Sequence, residues 1–125
     1  MRSAAIVLAM ASFLLAAPAS AWKESMASGV LPIAEVNAKA EYGDLVVVQG
    51  HITAVQTGSG SRFVVTLEDD TGSVFVRVPE HLLRKLNDGR APEVGRHVRV
   101  SGKWDHATLD DKVWGIHAQS AERVE

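Results

Sequence analysis

The sequence predicts an all-β domain: a small five-stranded barrel, with one short helix before the first strand and another between the third and fourth. Three observations carry that reading. Leu45–Val78 holds three runs rich in β-branched residues, LVVVQGHITAVQT, RFVVTLE and SVFVRV, split by the glycine-bearing turns GSGS and DDTG. Each run alternates apolar and polar residues, the two-residue period of a half-buried strand. Two further short runs follow, Arg96–Lys103 and Lys112–Ala118, with glycines and polar turns between them. Short strands punctuated by glycine are the pattern of closed all-β domains.

The chain opens on MRSAAIVLAMASFLLAAPASA within its 125 residues. Arg2 supplies a positive start, Ala4–Ala17 is almost wholly apolar, and Ala19-Ser20-Ala21 is a small-residue cleavage site, so the segment reads as a secretory signal. The apolar run is short for a membrane anchor. Cleavage after Ala21 leaves a mature chain of roughly 100 residues starting at Trp22, enough for one domain with a modest core. The expected location is periplasmic or secreted, with no membrane span after cleavage. The whole chain carries a net charge of −2, and cleavage removes the positive charge of Arg2 as well. That acidity weighs against non-specific nucleic-acid binding, which favours basic domains. With no cysteine, the chain has no disulfide, thiolate metal site or cysteine nucleophile, and packing alone must hold it together.

Residues 22–31 are small and polar apart from Trp22 and a few aliphatics, and are expected to be a flexible mature N-terminus. The barrel domain is expected over 32–125. Pro32–Tyr42, PIAEVNAKAEY, places Ile33, Val36 and Ala40 at helical spacing, with Pro32 in the first turn and Gly43 as the stop. Leu45–Thr57 is long for one strand. Val46, Val48, Ile52 and Ala54 take one face, and Gly50 marks a bend or bulge that lets the strand serve two halves of a barrel. In the second strand Phe63, Val65 and Leu67 point in while Arg62, Val64 and Thr66 point out. Asp69-Asp70-Thr71-Gly72 is a turn whose aspartates cap backbone N–H groups. In the third strand Val74, Val76 and Val78 point in while Phe75 and Arg77 point out. Pro79–Leu86, PEHLLRKL, is a short proline-opened helix. Val98 and Val100 are the inner pair of the fourth strand. Trp104–Asp111 is a loop or ragged hairpin, and Trp114 and Ile116 face inward in the fifth strand.

A bent first strand, a glycine loop at Gly58–Ser61, the Asp69–Val74 turn of the form D-x-T-G-x-hydrophobic and the late Val98–Gly102 strand together resemble the OB fold. The chain is most similar to the small exported bacterial OB-fold proteins (BOF-type), and more distantly to nucleic-acid-binding OB domains that share the D-x-T-G turn. The Leu-rich PEHLLRKL stands where that exported group carries a tryptophan-containing segment. The resemblance implies a five-stranded barrel with a helix between strands three and four. It also implies a ligand face on the outer surface of strands two and three. On that face the sequence offers Arg62, Val64, Thr66, Phe75 and Arg77, with Lys103, Trp104 and His106 in the bordering loop. Phe75 suits stacking on a base or sugar ring, and the arginines suit acidic groups. The bland alternative is that Phe75 is covered by the first helix, the arginines are solvent cover, and Trp104 packs under its own loop.

No reaction is legible. The sequence has no G-x-S-x-G elbow, no phosphate-binding glycine loop and no H-E-x-x-H motif. Asp69-Asp70 and Asp110-Asp111 sit where hard cations find oxygen ligands. They lack the alternating spacing of a calcium loop and read as turn caps and solvated charge. None of His51, His81, His97, His106 and His117 has zinc-motif spacing; an approach of His51 and His97 across the sheet is not something the sequence shows, and no metal is expected. No cofactor is expected. The expected function is an exported, non-enzymatic OB-fold binding or accessory protein whose partner is a protein or envelope component. The alternatives are a single-stranded nucleic-acid binder and, far behind, a hydrolase.

Overall fold

The structure is a computed structural model and describes residues 18–57, 63–82, 86, 92–107 and 112–124. The elements are α1 (Pro18–Ala27), α2 (Ile33–Lys39), β1 (Leu45–Thr57), β2 (Phe63–Glu68), β3 (Ser73–Val78), a 3₁₀ turn (Glu80–Leu82), β4 (His97–His106) and β5 (Trp114–Arg123). The strands close into a barrel in the order β1-β2-β3-β5-β4, the five-stranded OB topology expected from the sequence. Among the described residues no helix is long and apolar enough to cross a membrane.

The long first strand holds the barrel together. From Leu45 to His51 it pairs with β4, and from His51 to Thr57 with β2. The bend comes where Gly50 passes the β2 backbone: a Cβ there would stand 2.4 Å from the Glu68 carbonyl oxygen. Only glycine allows that approach. The register slips just beyond, between Ile52 and Ala54. The slip turns Ala54 out to solvent, contrary to the alternation read from the sequence, and brings Val55 partly against the core. An extra residue in one strand reverses the faces that follow it.

Val46, Val48 and Ile52 of β1, Val65 and Leu67 of β2, and Val74, Val76 and Val78 of β3 fill the interior, with Val98, Val100 and Ile116 opposite. These are the residues the alternation selected. Each such side chain stabilises the fold by about 1.5–3 kcal/mol when fully buried. The first helix expected over Pro32–Tyr42 is shorter, α2, and buries Ile33 and Val36. Between β3 and β4 the expected helix over Pro79–Leu86 is not what is described. A 3₁₀ turn spans Glu80–Leu82, residues 83–85 lie outside the described residues, and Leu82 and Leu86 are both buried. The leucines still plug the barrel, although the helix itself is not shown.

The segment expected to be a flexible terminus carries a helix and packs against the barrel. Trp22 lies on α1, is 8% exposed, and its indole Nε1 donates to Asp44 Oδ2 at 3.0 Å. Val30 then bridges to Val47, and Leu31 N donates to the Val47 carbonyl at 2.8 Å. A lone tryptophan among small polar residues is a weak sequence signal, yet its area and single donor suffice to dock the segment.

The candidate ligand face

The D-x-T-G turn comes first, because it decides what its aspartates are for. Helix α2 begins after Pro32 with no side-chain cap of its own. The turn between β2 and β3 supplies one from 36 residues away: Ile33 N donates to Asp69 Oδ2 at 3.0 Å, and Ala34 N to Thr71 Oγ1 at 3.0 Å. Asp69 Oδ1 also accepts Thr71 N at 2.8 Å, Thr71 Oγ1 at 2.6 Å and Gly72 N at 3.1 Å. Burial pushes the Asp69 carboxyl pKa up, but the Thr71 hydroxyl and the amides of Ile33, Thr71 and Gly72 outweigh it and hold it below the ordinary aspartate value. The sequence reading of Asp69 as a turn cap therefore stands, and its reach extends to the helix. Asp70 is exposed beside it. Asp110 and Asp111 lie outside the described residues, and among those described no three His, Asp or Glu side chains are placed to share a metal ion.

With α2 clamped to the turn, the outer face of β2 and β3 is framed on one side. In register across it stand Thr66 with Phe75 and Val64 with Arg77. The parallel pairing of β3 with β5 continues the second row from Arg77 to His117, and the β5–β4 pairing carries it on to Lys103. Arg77, His117 and Lys103 thus lie side by side on three neighbouring strands, about 5 Å apart per step. His117 Nε2 donates to the carbonyl of His106, which fixes that ring against the end of β4.

Two of the proposed contact residues are corrected. Val64 is 1% exposed, so it is floor rather than contact surface, and a short side chain between Gln56 and Arg77 is easily covered by its longer neighbours. Trp104 is not in a loop: β4 runs on to His106, and Trp104 is 7% exposed. Its backbone is held on both sides, Trp104 N donating to the Asp44 carbonyl and Gly43 N to the Trp104 carbonyl, each at 2.9 Å. Arg62 lies outside the described residues. Thr66, Phe75 and Arg77 are half-buried on the face, and Lys103 is exposed.

The exposed aromatics of this region are Trp114 and Tyr42. The parity of Trp114 matches the inward side of β5, as the alternation predicted, but it pairs only with His106 of β4, two residues ahead of the β3–β5 pairing that starts at Ile116, and is 41% exposed. Trp104 lies parallel to it with ring centroids 6.4 Å apart, His106 is tilted against it at 4.3 Å, and Tyr42 meets it edge-on at 6.2 Å. These contacts pin the indole without covering it. Next along the strand, Gly115 passes so close to β3 that a Cβ would stand 2.3 Å from the Phe75 carbonyl oxygen. That approach draws Trp114 in beside Phe75. The two aromatics line a shallow groove of about 160 Å³ with Asn37, Thr66, Ser73, Val74 and Val113. Asn37 Nδ2 donates to the Ser73 carbonyl at 2.8 Å and closes the helix side. Sequence reasoning missed Trp114 and Tyr42. The signal was an aromatic directly before a glycine at a strand start, but it could not show where the β3–β5 pairing starts.

No protein-family model matches the sequence, and no curated protein matches it. Solved structures do. A hypothetical protein from E. coli, YgiW, superposes with a TM-score of 0.59 at 13% identity, over 78% of this chain and 92% of that one. OBody AM1L10, bound to hen egg-white lysozyme, gives 0.53 at 19% identity over 67% of this chain and 82% of that one. Asparaginyl-tRNA synthetase from Pyrococcus horikoshii gives 0.51 at 17% identity, covering 67% of this chain and 20% of that enzyme. At these identities the likeness is one of fold, and the fold is the five-stranded OB barrel.

Proposed function

We propose that this protein is an exported, non-enzymatic OB-fold binding protein that captures a protein or envelope component in the groove between α2, β2–β3 and the β4–β5 hairpin. The observation that carries the reading is the pairing of two aromatics, Phe75 and Trp114, along one groove, beside the row Arg77, His117 and Lys103. The aromatics offer flat apolar area with little entropy to lose. The row offers charge-assisted contacts to carboxylates or other anionic groups. A barrel of the same fold that grips lysozyme supports a protein partner. Export rests on the N-terminal segment, and the non-enzymatic reading rests on the lack of a catalytic motif in the sequence.

The same surface also favours one second reading, single-stranded nucleic acid, since stacking aromatics beside cations suit that ligand too. The net charge of −2 opposes it. Titration of the mature domain with mixed single-stranded DNA and RNA separates the two. The proposal expects no saturable binding at physiological salt. Micromolar binding that falls steeply with salt and is abolished by Arg77→Glu would promote nucleic acid instead.

A further inference from the structure

β1 changes partners at His51. That residue is therefore in register with two strands at once, with Glu68 of β2 and with His97 of β4. The His51 and His97 rings stack with centroids 4.4 Å apart and planes 12° from parallel. His51 is exposed and His97 half-buried, so both rings stand on the outer surface, held by rigid sheet.

A chain of side chains orients the second ring. Glu122 Oε1 holds Arg99 at 3.3 Å, Arg99 Nε donates to Gln49 Oε1 at 3.0 Å, and Gln49 Nε2 lies 3.4 Å from His97 Nε2. With its oxygen committed to Arg99, the Gln49 amide presents its NH₂ group to His97. This makes His97 Nε2 the acceptor and places the ring proton on Nδ1. A neutral imidazole with a defined lone pair is the form that ligates metals. The nearby cations do not oppose a dication. Arg99 is paired with Glu122 and Arg96 with Glu93 at 3.6 Å, while the exposed Glu68 carboxylate stands in register on the other side of His51.

We propose that His51 and His97 form a surface site for a borderline divalent transition metal, with Cu²⁺ preferred. Imidazole ligands suit this class of ion, and the affinity order among first-row divalent metals peaks at copper. Parallel rings do not aim both nitrogens at one point, so binding requires one ring to turn. The exposed His51 ring does so about its second side-chain torsion, which is broad and soft for an imidazole. The metal displaces the Gln49 amide from His97 Nε2. With no third His, Asp or Glu placed to join them among the described residues, water or an external ligand completes the coordination. The site is open and of modest affinity, and neither histidine lines the groove.

The test is a calorimetric titration of the full mature chain with CuCl₂ in a non-coordinating buffer, paired with electron paramagnetic resonance of the copper complex. The expected result is one saturable site with two imidazole nitrogens in the spectrum. His51→Gln and His97→Gln should each weaken it by at least about tenfold, because loss even of groups that merely support a metal ligand costs that much. His81→Gln, on the exposed 3₁₀ turn, should leave it unchanged. Both histidines of the pair point outward, so circular dichroism should show the variants folded. Wild-type copper affinity in the His51→Gln/His97→Gln double variant, or a spectrum unaltered by either single change, overturns the proposal.

Discussion

Replacing Asp69 by alanine tests the clamp between the D-x-T-G turn and α2. The change removes four hydrogen bonds: one to Ile33 N, two to Thr71 and one to Gly72 N. The two to Thr71 are exposed, and water replaces them at little cost. The amides of Ile33 and Gly72 are partly buried and lose a charged acceptor. A hydrogen bond to a charged group contributes about 1.5–3 kcal/mol and a lost N-cap costs about 0.5–2 kcal/mol, so about 2–3 kcal/mol of destabilisation is expected. Urea unfolding followed by tryptophan fluorescence should show a lower midpoint with an unchanged slope. Thr71→Ala, which removes the contact to Ala34 N, should cost about 1 kcal/mol. The pH dependence gives a second signature. Because the folded state holds the Asp69 pKa below its ordinary value, its contribution is complete above the ordinary aspartate range. It is lost as the pH falls through the lower, folded-state value. Asp69→Asn should therefore flatten the stability loss on the acid side. If Asp69→Ala costs less than about 0.5 kcal/mol, the ordinary size of a surface substitution, the clamp is not what positions α2.

Other outcomes follow from the same geometry. Trp22→Ala should cost about 3 kcal/mol from lost packing, while Trp22→Phe should cost only about 1 kcal/mol, the Asp44 hydrogen bond; thermal melts of both would separate the two terms. Gly115→Ala should destabilise by about 3 kcal/mol, since the new Cβ meets the Phe75 carbonyl and the β3–β5 approach must open. Trp114→Ala should cost about 1–2 kcal/mol from the lost ring contacts, leaving the domain folded, yet abolish partner capture. Protein recovered from exporting cells should begin at Trp22 by N-terminal sequencing; retained Met1 in soluble cytoplasm would overturn the export reading.

Strand faces were legible wherever the two-residue period ran unbroken. Val74, Val76, Val78, Val98 and Val100 were placed by alternation alone. Each failure has an identifiable structural cause. Ala54 faced the wrong way because a bulge lies immediately before it, between Ile52 and Ala54, and nothing in ITAVQ marks a bulge. Val64 was read as surface because its parity is outward; its burial depends on the long side chains beside it. Trp104 and Trp114 exchanged roles because parity fixes a side chain's face, while exposure depends on where the pairing with the neighbouring strands starts. The 36-residue reach of Asp69 to Ile33 is a tertiary contact that turn chemistry alone does not foretell. The stacking of His51 on His97 depends on register between strands far apart in sequence. The sequence held the pair as a possibility without the spacing that would make it a motif.

The groove account is tested most directly by photo-crosslinking in exporting cells. A photoreactive phenylalanine analogue is placed at Phe75 in one variant, at Trp114 in a second, and at Val47 on the opposite face in a third. The account predicts a discrete protein or envelope-component adduct from positions 75 and 114, lost when Arg77 is reversed in charge, and none from position 47. Adducts formed only from position 47, or adducts to nucleic acid from the groove, would contradict it.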